Sequence, residues 1–257
     1  MTDQPGNSAI QSAQTGSPPP TAVEIKEKLR DLEGRRQWYQ HVEIDGVASP
    51  GNANWVESRF YNRGKWENFI LPLMPAAAGT FAELGANAGL FLLYAADLGF
   101  ERVIGIEGDD TWFAQARYVI DHYGSRAPET YGRIDLLHAR IGEPWRGANI
   151  ACNIRTTCGE LDLAALPPVD IMLMANVLYW IERRACLDFI DRLAEQARYA
   201  IVVSVEWPSP DGGPATIAEV RKTFSKRWIE RGCVPGIDAE LDSAPRNMFS
   251  VLFESRG

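Results

Sequence analysis

From about residue 80 onward, short apolar runs alternate with stretches whose apolar residues recur at helical spacing. The runs beginning at Phe81, Val103, Ile134, Ile171, Tyr199 and Met248 read as strands, the last five ending near Ile106, Ala139, Ala175, Val205 and Glu254. Between them, Leu90 to Leu98, Trp112 to Tyr123, Glu182 to Ala197 and Ala215 to Arg231 read as helices. Trp112, Phe113, Ala116, Val119, Ile120 and Tyr123 share one face of the second helix. Asp109 or Asp110 would cap it, and Gly124 would end it. The run Ile171 to Ala175 is apolar throughout, as a strand covered on both faces of a parallel sheet must be. This alternation predicts an α/β fold: an open, mainly parallel, doubly wound sheet.

The first third of the chain follows a different pattern. Residues 1–20 are rich in Ser, Gln, Thr, Gly and Pro; they carry too little apolar surface to offset the entropy of ordering and predict a disordered tail. Val23 to Leu32 reads as a charged helix stopping near Gly34. Val42-Glu43-Ile44 followed by Asp45-Gly46 is a hairpin signal. Trp55, Phe60, Tyr61, Trp66 and Phe69 follow, and the spacing of Trp66, Phe69, Ile70 and Leu73 predicts a helix limited by Pro72 and Pro75. The chain therefore divides into a tail (1–20), an N-terminal helical and hairpin extension (21–75) covering the active site, and an α/β domain (76–257). Near the C-terminus, Ser209 to Pro214 is a turn-rich candidate lid. Asp238-Ala239-Glu240-Leu241-Asp242 is a candidate acidic loop ahead of the last strand.

Composition narrows the chemistry. The 257 residues, 46% of them hydrophobic, suit a soluble globule, with no apolar run approaching the roughly 18 residues that span a bilayer. Without a signal-peptide pattern at the N-terminus, a cytoplasmic protein is expected. Cys152, Cys158, Cys186 and Cys233 form no C-x-x-C pair and only three histidines are present, so no metal site is expected and reduced thiols are. A net charge of −8 weighs against a nucleic-acid partner and is compatible with a cationic small molecule.

The stretch 81–109 carries the most specific chemistry. Glu83-Leu84-Gly85-Ala86-Asn87-Ala88-Gly89 would end a strand and turn tightly into a helix, and Glu107 closes the next strand 22 residues after Gly85. This is a nucleotide-binding βαβ half, with an acid placed for ribose hydroxyls. The turn is Gly-x-x-x-Gly rather than G-x-G-x-x-G, with Asn87 where a pyrophosphate needs glycine. Glu83 would also repel a phosphate, yet it could bind an ammonium. A ligand with a ribose and an amino-acid ammonium but no phosphate is S-adenosylmethionine.

At these residues the chain resembles the Rossmann-like (class I) S-adenosylmethionine-dependent methyltransferases. Trp38-Tyr39-x-His41-x-x-Ile44-x-Gly46-Val47, with Lys65-Trp66 ahead of the glycine turn, is similar to a subgroup related to the enzymes that modify the wobble uridine of transfer RNA. That subgroup also includes small-molecule and natural-product methyltransferases. The resemblance implies seven strands, the last inserted antiparallel, and S-adenosylmethionine held by Lys65, Trp66, Glu83, Gly85, Asn87, Gly89, Glu107, Gly108, Arg140, Ile141 and Asn176. Glu206, His41 and Tyr179 are the candidate catalytic residues, because a hydroxyl acceptor usually needs a general base and an amine must lose its proton. His122 and His138 read as structural. Trp38, Tyr39, Trp55, Trp66 and Trp180 would either pack the extension on the sheet or face a cation or sugar. The implied activity is methyl transfer to an amine or hydroxyl of a small molecule such as an aminosugar natural product. The acidic loop reads as a solvated charge cluster, with attraction of a polycationic acceptor as its alternative. A wobble-uridine enzyme and a non-catalytic cofactor-binding module are the rivals.

Overall fold

The structure is a computed structural model and describes residues 19–34, 37–51, 61–76, 79–143, 156–206, 212–241 and 244–257, with only the backbone of 237–241 and 244–246. The expected tail up to residue 18, Trp55, Phe60, Cys152 and residues 209–211 of the expected 209–214 loop lie outside the described residues.

A helix α1 (Ala22–Glu33) opens the fold, begun by a capping box in which Thr21 and Glu24 satisfy each other's end groups. The hairpin β1 (Glu43–Ile44) and β2 (Val47–Ala48) follows. Its turn residues Asp45 and Gly46 both have positive φ (47° and 79°), as an Asp-Gly hairpin requires. A short helix α2 (Asn62–Lys65) then continues as a π-turn over Trp66–Ile70 and a 3₁₀ turn over Leu71–Leu73, where Pro72 ends the run. Trp66, Phe69, Ile70 and Leu73 are all buried, which is the face that the spacing predicts.

The sheet is built from β3 (Thr80–Leu84), β4 (Arg102–Glu107), β5 (Ile134–Arg140), β6 (Gly159–Glu160), β7 (Val169–Ala175), β8 (Ala197–Val205), β9 (Trp228–Leu241) and β10 (Ala244–Ser255). Its order is β6-β5-β4-β3-β7-β8-β10-β9, parallel from β6 to β8, with β10 antiparallel between β8 and β9. The eighth strand relative to the expected seven is the two-residue β6 at the edge. Alternate strand residues feed two cores. Phe81, Val103, Ile171, Leu173 and Val203 pack with α1, α3 (Leu90–Asp97) and α4 (Asp110–Arg126). Ala82, Ile104, Met172, Met174 and Val202 pack on the other face with α6 (Arg183–Leu193) and α7 (Ile217–Phe224), while α5 (Pro128–Tyr131) is a single turn after α4. No helix among the described residues is long and apolar enough to cross a membrane.

Three boundaries differ from expectation. The second long helix passes Gly124 and stops at Arg126, where Pro128 follows: Gly124 has an ordinary helical neighbourhood and nothing ends the ladder until Ala127. The helix expected over Glu182 to Ala197 ends at Leu193, and β8 starts at Ala197. The helix expected over Ala215 to Arg231 ends at Phe224. Trp228 falls in phase with Ile217, Val220 and Phe224, so helical spacing absorbs it, yet it opens β9 and reaches the same core from the sheet. Residues 238–241 therefore form strand rather than an acidic loop, and Gly232 lies inside β9.

Trp228 is 1% exposed, lies 5.7 Å from the Phe224 ring centre and donates its indole N–H to the Ile190 carbonyl. Replacing it with alanine should cost about 3–5 kcal/mol of stability in urea unfolding, the range for removing a buried aromatic; a loss below 1 kcal/mol would mean that β9 is not anchored there.

Candidate functional site

The carboxyl ends of β3, β4 and β7 open into one cavity of about 220 Å³, measured as the space open to the centres of water molecules. A single water needs only about 10–15 Å³ on that scale, so the space is ligand-sized. It lies where the chain leaves β3 for β4 on one side and returns to β7 on the other, the crevice in which open α/β sheets bind ligands.

The glycine turn forms its floor. Gly85, Asn87 and Gly89 all take left-handed φ (75°, 51° and 83°), a conformation that costs a side chain strain unless its surroundings hold it. A Cβ on Gly85 would stand 2.8 Å from Val177 Cγ2, so close approach as well as φ requires glycine there. The backbone N–H groups of the turn are spent within the protein. Gly85 and Ala86 donate to the Ile106 carbonyl, Gly89 to the Ala86 carbonyl, and Ala88 to Asn87 Oδ1. Asn87 donates to Glu107 Oε2 at 2.7 Å, and Leu90 to Gln40 Oε1 at 3.0 Å. Phosphate-binding turns point such groups at the ligand. This one offers none from Gly85 to Leu90.

Three carboxyls line the cavity instead, those of Glu83, Glu107 and Asp109, the last of which also caps α4. Glu107 is 5% exposed; its Oε1 accepts the Asp109 N–H at 2.8 Å and its Oε2 the Asn87 N–H. Burial pushes its pKa up to about 7, against the lowering effect of those N–H donors. Glu83 is 1% exposed, and among the described residues its Oε2 has no hydrogen-bond partner. Burial holds its pKa well above the usual carboxyl range; the nearby charge of Glu107 adds to this and that of Lys65 opposes it. Lys65 is itself 2% exposed, donates to Tyr39 Oη at 3.3 Å and lies 5.3 and 5.6 Å from the centres of the Tyr39 and Tyr61 rings. Ring faces at this end of the cavity are therefore turned to a cation of the protein itself.

The turn after β7 forms the opposite wall. Asn176 has φ 56°, and its buried Oδ1 has no hydrogen-bond partner among the described residues. The 3₁₀ turn Leu178–Trp180 then presents Tyr179 and Trp180, whose rings tilt against each other at 5.4 Å. On the β4 and β5 side, Gly108, Arg140 and Ile141 line the cavity with Trp112, the third residue of α4.

No family model and no curated protein sequence matches the chain. Among solved structures, the N-terminal domain of EvdMO1 with SAH bound superposes with a TM-score of 0.62 at 16% identity, covering 92% of this chain and 98% of that one. The same domain in the presence of SAH and D-fucose gives 0.58 at 17% identity, over 91% and 97%. N-methyltransferase NodS from Bradyrhizobium japonicum WM9, in complex with S-adenosyl-L-homocysteine, gives 0.56 at 14% identity, over 90% and 98%. The chain has the Rossmann-like methyltransferase fold.

Within this methyltransferase fold the expected site residues divide in two. Lys65, Glu83, Gly85, Asn87, Glu107, Gly108, Arg140, Ile141, Asn176 and Tyr179 all line the cavity. Four others do not. Trp66 packs behind it against Phe81, Phe91 and Tyr94, in the core that joins the extension to the sheet. Gly89 faces Ile120 and Ala116 of α4, where a Cβ would sit 3.4 Å from Ile120 Cδ1. His41 is fixed through its backbone N–H to Asn62 Oδ1, with its imidazole pKa lowered by burial. Glu206 pairs across the sheet, its Oε2 accepting from Asn247 Nδ2 at 3.2 Å. His138 stacks on Phe113 at 4.2 Å and pairs with Asp110, and His122 pairs with Asp45. Arg140 also pairs with the mostly exposed Glu143.

Gln40, Asn62, Trp112 and Thr156 line the cavity without having been expected there. Trp112 was hidden in the apolar face of its helix. Gln40 carried a readable signal, since it is the polar residue at an inward position of the alternating stretch Trp38 to Ile44.

A buried acid whose pKa rises on folding stabilises the fold below its unfolded pKa, near 4.5, and loses that contribution as pH climbs through its folded value, here about 7. The ligand-free protein should therefore lose up to roughly 3 kcal/mol between pH 4.5 and 8 through Glu107. Urea unfolding of Glu107→Gln across that range should show a correspondingly flatter profile; parallel profiles would mean that Glu107 stays ionised.

Proposed function

We propose that the protein is an S-adenosylmethionine-dependent methyltransferase acting on an amine or hydroxyl of a small molecule, with an aminosugar-type natural product as the acceptor class. One observation carries this reading: Glu83 and Glu107 share one cavity over a glycine turn that offers no N–H to a phosphate. The donor set fits the cofactor. Glu107 presents carboxylate oxygens to ribose hydroxyls, the unpartnered Glu83 Oε2 suits an ammonium, and Lys65 suits a carboxylate. Gly108, Arg140 and Ile141 would hold the adenine side. When bound, S-adenosylmethionine supplies a methyl group on a sulfonium, open to in-line attack by a lone pair.

The protein's share of the work is placement, which can itself supply several kcal/mol, in the range of about 7–11 quoted for well-oriented reactants. Asn176 Oδ1 is a buried acceptor ready for an acceptor N–H or O–H, and Tyr179 with Trp180 supplies an apolar wall. Tyr179 stands beside the reacting space, whereas Glu206 and His41 lie outside the cavity. Deprotonation by either would need a path that bypasses its walls, so we assign acceptor binding to Asn176 and Tyr179. An amine that arrives neutral needs no base. The SAH-bound neighbours, an N-methyltransferase among them, support the chemistry.

Calorimetric titration with S-adenosylhomocysteine should show one site per chain. Glu107→Ala should weaken it by about 1.5–3 kcal/mol, or roughly 10- to 150-fold. Absence of binding by the wild-type protein would end this reading, and wild-type affinity in the variant would put the ribose elsewhere.

A further inference from the structure

The stretch Trp38 to Ile44 alternates between inside and outside. Trp38, Val42 and Ile44 are 1%, 2% and 0% exposed, while Glu43 is exposed and Tyr39 and His41 are half-buried. Gln40 falls in the inward phase and is 4% exposed. That phase ordinarily holds apolar residues, and a carboxamide buried there is costly unless it is hydrogen-bonded.

Its partner lies 50 residues away. Gln40 Oε1 accepts the N–H of Leu90, the first residue of α3. A helix start usually draws on a Ser, Asp or Asn one position earlier. Here that position is Gly89, whose left-handed φ of 83° shapes the turn but which has no side chain to cap with. Gln40 therefore supplies the cap from a remote segment, and it closes the last open N–H of the glycine turn. Its two neighbours are fastened as well. Lys65 Nζ donates to Tyr39 Oη at 3.3 Å, and the His41 N–H donates to Asn62 Oδ1 at 2.8 Å. Three successive residues thus join the 39–41 segment to α2 and to the glycine turn, with Tyr39 and Gln40 themselves lining the cavity.

We propose that Gln40 is a positioning residue for the cofactor turn, which makes the N-terminal segment a structural part of the cofactor site rather than a cover laid over it. The left-handed Asn87 must be held for its N–H to meet Glu107 Oε2, and the bond from Leu90 to Gln40 fixes the far end of the same turn. Coupling of this kind is reciprocal. Cofactor bound at Glu107 therefore firms up residues 38–44, and a loosened 38–44 segment weakens the cofactor. The inference rests on the methyl-donor reading above.

The test uses the full chain as wild type, Gln40→Leu (similar size, no acceptor) and Gln40→Glu (acceptor kept, at a helix end that favours negative charge). Each is titrated with S-adenosylhomocysteine, and backbone hydrogen exchange of 38–44 is followed with and without it. Gln40→Leu should bind about tenfold more weakly, as expected for a lost cap that leaves a buried N–H unpaired, and Gln40→Glu should stay within about threefold. Ligand should slow exchange at 38–44 in wild type and Gln40→Glu, but not in Gln40→Leu. Wild-type affinity in Gln40→Leu, or equal weakening in both variants, would overturn the proposal. Should Gln40→Leu fail to fold, wild-type exchange decides: protection of 38–44 upholds the proposal, and its absence overturns it. Failure of the wild type to bind the ligand at all would strike the functional reading instead.

Discussion

The character of the cavity follows from a turn that donates its backbone N–H groups inward. Six consecutive groups, from Gly85 to Leu90, end on carbonyls, on a carboxylate or on side-chain amides of the protein. With these donors spent, the turn itself offers a phosphate no N–H group between Gly85 and Leu90. The lining is rich in acceptors, with the carboxyls of Glu83, Glu107 and Asp109 and the Asn176 amide, and Lys65 and Arg140 are its cations. Such a surface suits hydroxyl and ammonium groups. Both specificity and fold therefore depend on the same hydrogen bonds, since releasing one would also release the left-handed backbone at Asn87.

Electrostatics sharpen this picture. Burial raises the pKa of both Glu83 and Glu107, so the pocket holds its acids at some cost. A ligand that brings hydroxyl or ammonium donors relieves that cost directly, because hydrogen bonds to an ionised carboxyl favour its charged form. Lys65 works in the same direction for Glu83, and it is shielded from water by Tyr39 and Tyr61. The site thus stores unfavourable desolvation that only a partner of complementary chemistry removes.

Much of this was readable in the residues. Strands β3, β4, β5 and β7 announce themselves as apolar runs. Glu83, Gly85, Asn87 and Glu107 follow from the rule that ligands gather at strand ends near a glycine turn. What failed to show was whatever depends on long-range pairing. Trp228 sits in helical phase with Phe224 but begins a strand, because its burial is satisfied equally from either element. Glu206 ends a strand two places from β3, yet β10 inserts beside it and Asn247 engages its carboxylate. Asn62 and Thr156 reach the cavity only through tertiary placement, which no local period encodes.

The contact between Gly85 and Val177 has a consequence for how such a site could diversify. The turn after β3 and the turn after β7 touch through the space that a missing Cβ leaves open. Enlarging either residue would push the two loops apart and disturb both halves of the cavity at once. Substitution is thereby penalised at 85 and 177. Change at Tyr179 and Trp180 would instead reshape the cavity wall and leave the Gly85–Val177 contact in place.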